Sequence, residues 1–180
     1  MHILKDIFGL NKKQRVVPVK TLGDKGLKLS QYLSPAAIIV KKGEVPKDEA
    51  IEILVKNLCN INRIDDMPVV LEKIMEREKL ETTFLDNEVA IPHARYEGVK
   101  GIKAVLGIFP AGVREEQSDK LPAQFIFLFL SPVDAFTQHL QLLTRIAFVF
   151  QDAKLKDRML TASEPDTIYR LLQGKEGVSA

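Results

Sequence analysis

The sequence predicts an α/β domain: a sheet covered by helices. Three observations carry this reading. Residues 124–130, Gln-Phe-Ile-Phe-Leu-Phe-Leu, form a near-continuous apolar run, the pattern of a strand buried on both faces. Ile51, Leu54, Val55 and Leu58 repeat at helical spacing, as do Met67, Val70, Leu71, Ile74 and Met75. Such segments alternate along the chain with short strand-like runs, which argues for helices packed on a sheet. The order of the strands is not readable from the pattern.

Composition narrows the function classes. The chain has 180 residues, enough for one domain with a core, and a net charge of +2 that gives no reason to expect nucleic acid. Cys59 is the only cysteine, so no internal disulfide forms, and a cytoplasmic location is expected. No apolar run reaches the length of a membrane span, and residues 1–10 lack the apolar core and cleavage site of a signal peptide.

Taken in order, residues 1–27 read as an N-terminal extension or linker, 28–174 as the domain, and 175–180 as a tail. Within the extension, Ile3, Leu4, Ile7, Phe8 and Leu10 can form one apolar stripe on a short helix. Ala37-Ile38-Ile39-Val40 reads as the first strand. Pro46 fits a first helical turn, with Asp48 and Glu49 at the positive end of the helix dipole. A second helix starts at Asp65 or Asp66 and closes on Glu76-Arg77-Glu78-Lys79. Val89-Ala90-Ile91 is a strand that should stop, or reach a sheet edge, at Pro92, because proline cannot donate to a ladder. Residues 102–109 form a longer strand, closed by Pro110 and Gly112, and residues 113–120 an exposed connection. The apolar strand ends at Ser131-Pro132, where Ser131, or alternatively Asp134, caps a helix with Phe136, Leu140, Leu143, Ala147 and Phe150 along one side. His139 lies near its start, on a side turned to the sheet or its rim. Two short helices follow, the last opening at Ser163-Glu164-Pro165-Asp166 and stopped by Gly174.

Few residues can carry chemistry. Of three histidines, His2 belongs to the extension, leaving His93 at the end of a rigid strand and His139 on a helix. They are either a nucleophile or acid/base pair in one cleft, or one loop histidine and one core histidine. Arg77, in the charged last turn of its helix, reads as a solvated surface charge, as most such arginines are. Cys59 reads as a small buried thiol. The chain has no HExxH or cysteine pair for a metal, no Walker loop or GxGxxG for a nucleotide, and no GxSxG nucleophile elbow.

Four pieces nevertheless stand in order along the chain. Arg77-Glu78 ends a helix. Ala90-Ile91-Pro92-His93 places a histidine sixteen residues after that arginine. Phe125 to Pro132 is an apolar strand ending in proline, and His139-Leu140-Gln141-Leu142-Leu143 opens a helix. Together with Leu33-Ser34-Pro35 followed by Ile38-Ile39, they resemble the type 2 enzyme IIA component of the phosphoenolpyruvate-dependent phosphotransferase system, the fructose, mannitol and nitrogen-regulatory group, over roughly residues 28–173.

The resemblance implies a central mixed sheet covered by helices and a phosphotransferase role. His93 is then the phosphoryl-accepting nucleophile, through Nε2, with phospho-HPr as donor. His139 and Arg77 stabilise the phosphoryl group, and Thr83 and Asn87 bind phosphate. The acceptor or target is an enzyme IIB or a regulatory protein on another chain, and membranes enter only indirectly, through a transporter. No cofactor, metal or nucleic acid is called for. One departure stands out. The family's Gly-Ser-Thr-Gly-Ile-Gly-Asn-Gly loop here reads Glu81-Thr82-Thr83-Phe84-Leu85-Asp86-Asn87-Glu88. Thr83 and Asn87 match, but all four glycines are replaced, and three carboxylates appear beside a phosphate site. A different loop path is expected, and with it an alternative function: a regulatory binding module that kept the fold without being phosphorylated.

Overall fold

The computed structural model describes residues 27–85, 87–115 and 121–177. The apolar stripe within residues 1–10, Asp86 and most of the polar connection before Leu121 lie outside the described residues. Two 3-10 turns, Leu29–Gln31 and Pro35–Ala37, lead into strand β1 (Ile38–Val40). Helices α1 (Lys47–Asn62) and α2 (Met67–Leu80) follow, then strands β2 (Val89–Ala90), β3 (His93–Arg95), β4 (Lys103–Val113) and β5 (Ala123–Ser131). Helices α3 (Phe136–Val149), α4 (Ala153–Thr161) and α5 (Pro165–Lys175) close the described chain.

The sheet is mixed. Its order is β1-β4-β5-β2, with β3 also on β5; only β4 and β5 run antiparallel to each other. The apolar run therefore sits in the sheet's interior, and residues 125–130 are fully buried, as a strand covered on both faces requires. Alternation divides its side chains between two layers. Phe125 meets Phe150 and Phe129 meets His139, so this face turns to α3. Ile126 pairs in register with Gly107, whose missing Cβ would fall 2.9 Å from Leu54 of α1, so α1 covers the other face at close range. Among the described residues no helix is long and apolar enough to cross a membrane.

Three elements depart from the sequence pattern for identifiable reasons. Strand β4 does not close at Pro110 but runs on to Val113 through a register shift after Ile108. Gly112 supplies a φ of +79°, the carbonyl of Pro110 accepts from Gln124 Nε2 at 2.9 Å, and the strand resumes beyond the irregularity. Helix α3 starts at Phe136, later than a cap at Ser131 or Asp134 requires, and has no side-chain cap. Ser131 is still in β5, and its hydroxyl is spent elsewhere. The last helix passes through Gly174 and ends at Lys175.

Strands β2 and β3 are one interrupted edge strand. Val89 pairs with Phe125 and His93 with Phe129, so the register is the same on both sides of Ile91-Pro92. Pro92 breaks the ladder only on its own N–H side, while its carbonyl accepts from Phe129 N at 3.1 Å. The expected stop is thus a pause at an edge, and pairing resumes at the histidine.

Candidate functional site

The site grows from this pause. His93 is the first residue after the break, in register with Phe129, so the two side chains share the face that α3 covers. The imidazole stacks on the Phe129 ring, with centroids 5.3 Å apart and planes 12° from parallel. His139, in the first turns of α3, packs edge-on against His93 at 5.0 Å and against Phe129 at 5.1 Å. A strand and a helix thereby deliver two histidines to one aromatic floor. Both are nearly buried, with 8 % and 6 % of their surface exposed.

Hydrogen bonds orient the rings. His93 Nδ1 lies 2.7 Å from the carbonyl oxygen of Ile91. A carbonyl only accepts, so Nδ1 carries the proton and donates it, and Nε2 of the neutral ring keeps its lone pair. His139 Nδ1 lies 2.7 Å from Ser131 Oγ. A hydroxyl either donates or accepts, so this partner serves both the neutral and the protonated ring.

Electrostatics keep both rings neutral. Burial, opposed by the Ile91 hydrogen bond and reinforced by the charges of Arg77 and Arg95, pushes the His93 pKa down from 6.5 to about 4. Burial, then His93, Arg95 and Arg77, push His139 down to about 4 as well. At neutral pH the pair presents an unprotonated ring nitrogen beside a second neutral imidazole.

The remaining candidates are placed unequally. Half-buried Arg77 donates through one guanidinium nitrogen to the Glu81 carbonyl at 2.9 Å, and its charge reaches both histidines. Thr83 is committed inside the loop: its amide donates to Glu78 Oε1 at 3.0 Å and its hydroxyl to Oε2 at 2.5 Å. Both donors are thus spent on a carboxylate. Asn87 has a buried side-chain amide with no hydrogen-bond partner among the described residues, and its carbonyl accepts from Lys156 at 3.0 Å. Cys59 is buried in α1, and burial raises its pKa, so the thiol stays protonated.

The glycine-poor loop is held by charge. Glu78 accepts from Thr83 and Thr82 and pairs with Lys47 of α1 at 3.0 Å. Glu88 takes a left-handed φ of 66°, and its carboxylate meets Lys156 of α4 at 2.8 Å. The loop folds back on the edge strand through Leu85 N to Val89 O at 2.8 Å and Ile91 N to Thr83 O at 3.1 Å. Its path therefore reaches the residue whose carbonyl orients His93.

Two neighbours of the histidine pair are not singled out by the sequence pattern: Ser131, bonded to His139, and Arg95, whose charge acts on both rings. In the sequence Ser131 reads as a helix cap. Arg95 stands two residues beyond His93, and strand alternation alone puts it on the same face. Its guanidinium lies 4.9 Å over the ring of Phe136, which is 56 % exposed.

Comparison with known proteins agrees with this architecture. The family model described as phosphoenolpyruvate-dependent sugar phosphotransferase system, EIIA 2, matches residues 31–175. A nitrogen regulatory protein of Pseudomonas aeruginosa is 30% identical over 147 residues, 81% of this chain and 95% of its own. A fructose-specific EIIA component of Haloferax volcanii is 26% identical over 141 residues, 78% of this chain and 92% of its own. Among solved structures, the nitrogen regulatory protein IIA-Ntr of Neisseria meningitidis superposes with a TM-score of 0.71 at 28% identity, over 80% of this chain and 98% of its own. The mannitol enzyme IIA of Escherichia coli, in a complex with phosphorylated enzyme IIB, gives 0.65 at 25% identity, over 79% and 97%. With most of its length matched, this chain belongs to the EIIA type 2 family of the phosphoenolpyruvate-dependent sugar phosphotransferase system.

Proposed function

We propose that the protein is a cytoplasmic phosphotransfer protein that takes a phosphoryl group from phospho-HPr onto His93 Nε2. It then passes the group to an enzyme IIB-type partner or signals to a regulatory target through its phosphorylation state. The observation that carries this reading is the 2.7 Å contact from His93 Nδ1 to the Ile91 carbonyl. It leaves Nε2 as the nucleophile and shields Nδ1 from attack.

In the transfer, the Nε2 lone pair forms a bond to phosphorus as the phosphorus–donor bond breaks, and that bond's electron pair leaves with the donor. Positive charge develops on the imidazole, and the Ile91 carbonyl stabilises it through Nδ1–H. His139, with Nδ1 accepting from Ser131, turns Nε2–H toward the phosphoryl oxygens. Arg77 adds positive charge. Asn87, with an unpartnered amide, is available to bind phosphate. Thr83 contributes by position: held on Glu78, it fixes the loop beside Ile91.

One observation favours a second reading, a binding module that is never phosphorylated: the loop spends both Thr83 donors on Glu78. Incubation with phosphoenolpyruvate, enzyme I and HPr, read by intact mass, separates the two. A single acid-labile phosphoryl adduct on the wild type and none on His93→Ala supports transfer. No adduct, with the HPr itself phosphorylated, supports the binding module.

A further inference from the structure

Resting on the phosphotransfer reading, we infer that Arg95 is a further phosphoryl-binding residue of this site, parked on Phe136 until His93 is charged.

Three separate ties bring Arg95 to the pair of histidines. Along β3 it is two residues beyond His93, on the same face, a strand advance of about 7 Å that an extended arginine spans. Across the sheet its register partner is Ser131, whose hydroxyl lies 2.7 Å from His139 Nδ1. Its stacking partner Phe136 lies one helical turn before His139 on α3, so it shares a side of the helix with that histidine. An arginine fixed to the nucleophile's strand, the stabiliser's hydrogen-bond partner and the stabiliser's helix stands at the mouth of one site.

Charge gives the residue a task. Both histidines are neutral, so a phosphoryl group with about two negative charges meets no cation in the ring pair itself. Arg77 already spends one guanidinium nitrogen on the Glu81 carbonyl. Arg95 is exposed and, among the described residues, is held only by an aromatic face that is itself mostly exposed, a setting in which the attraction of a cation to a ring is weak. A phosphoryl oxygen pair offers a guanidinium two charge-assisted hydrogen bonds, which outweigh that stacking. Phe136 therefore keeps the arginine ordered and near, and releases it when the anion arrives.

The test uses the full chain with phospho-HPr, in wild type, Arg95→Ala, Arg95→Lys and Phe136→Leu. Two rates are read: formation of the adduct, and its hydrolysis after the donor is removed. Docking to the donor does not affect the second. Arg95→Ala is expected to shorten the adduct half-life and slow its formation by about 10-fold, a charge-assisted contact's worth. Arg95→Lys restores part of this, and Phe136→Leu retains most of it. Histidine titration by NMR in the uncharged protein is expected to show both pKa values rising in Arg95→Ala. A wild type that forms the adduct while Arg95→Ala equals it in both rates overturns the Arg95 assignment and leaves phosphotransfer standing. A wild type that forms no adduct overturns both.

Discussion

Ser131 and His139, eight residues apart, meet at 2.7 Å, Oγ to Nδ1, inside the fold. The serine ends the central strand and the histidine lies in the first turns of the next helix, so the bond staples the strand–helix corner to the site. With the hydroxyl donating to Nδ1, His139 carries its proton on Nε2, the atom proposed to donate to the phosphoryl group. Ser131→Ala removes that restraint. Phosphorylation of His93 is expected to slow by about 10-fold, from a hydrogen bond of about 1–1.5 kcal/mol. The ¹⁵N shifts of His139 report the loss directly, as a mixture of tautomers in place of one.

Stability depends on pH through the same two rings. Each has a folded pKa of about 4, against an ordinary value of 6.5. Between these values the unfolded chain binds protons that the folded chain refuses. Stability is therefore complete above pH 6.5 and falls as the pH drops toward 4, by up to about 1.4 kcal/mol per unit for each histidine. Urea denaturation at several pH values checks this. A His93→Gln, His139→Gln double variant is expected to flatten the slope; an unchanged slope assigns the dependence to carboxylates instead.

Glu78 is a buried carboxylate serving two threonines and Lys47. Glu78→Ala leaves the Thr83 amide and hydroxyl without an acceptor, while Lys47 keeps Glu115 at 2.7 Å. The expected loss is about 2–4 kcal/mol in denaturant unfolding. Phosphorylation should slow as well, because Thr83 O holds Ile91 N at 3.1 Å beside the carbonyl that orients His93. A stable variant with full phosphorylation contradicts the loop's role.

Glu176 performs a similar service for the first 3-10 turn. Its carboxylate accepts from Leu29 N at 2.7 Å and Ser30 N at 3.0 Å, the open amides of the first 3-10 turn, and pairs with Arg145 at 3.4 Å. Glu176→Gln keeps an acceptor but loses the charge, and Glu176→Ala loses both. Hydrogen exchange at Leu29 and Ser30 is expected to quicken modestly in the first and by about 10-fold or more in the second. Equal protection in all three proteins contradicts this anchoring.

The sequence was most readable where one residue's environment is decided locally. The apolar run of β5 implies burial on both faces because every position is apolar, and it is the interior strand. Pro92 announces an edge because its missing N–H tolerates no second neighbour. Where distant partners decide, the pattern was silent. Pro110 and Gly112 look terminal, yet Gln124 from the neighbouring strand bridges the irregularity and β4 continues. Ser131 resembles a cap because serine often is one; what claims it is a histidine on the following helix. Arg95 follows His93 by simple alternation, but its contact with Phe136, a mostly exposed member of the helical stripe, is made only in the folded chain. The glycine-poor loop is legible only as a departure, since Glu78 and Lys156, which hold it, act through the folded chain.

Phosphotransfer as proposed bonds phosphorus to one nitrogen of one histidine. The most direct measurement is a long-range ¹H–¹⁵N correlation spectrum of the protein after phosphorylation by phospho-HPr, with ¹⁵N–³¹P coupling to mark the bonded nitrogen. Coupling at His93 Nε2 is expected, with Nδ1 still protonated and hydrogen-bonded. Coupling at Nδ1, or on His139, would contradict it, and so would a spectrum of unphosphorylated histidines beside a fully charged donor.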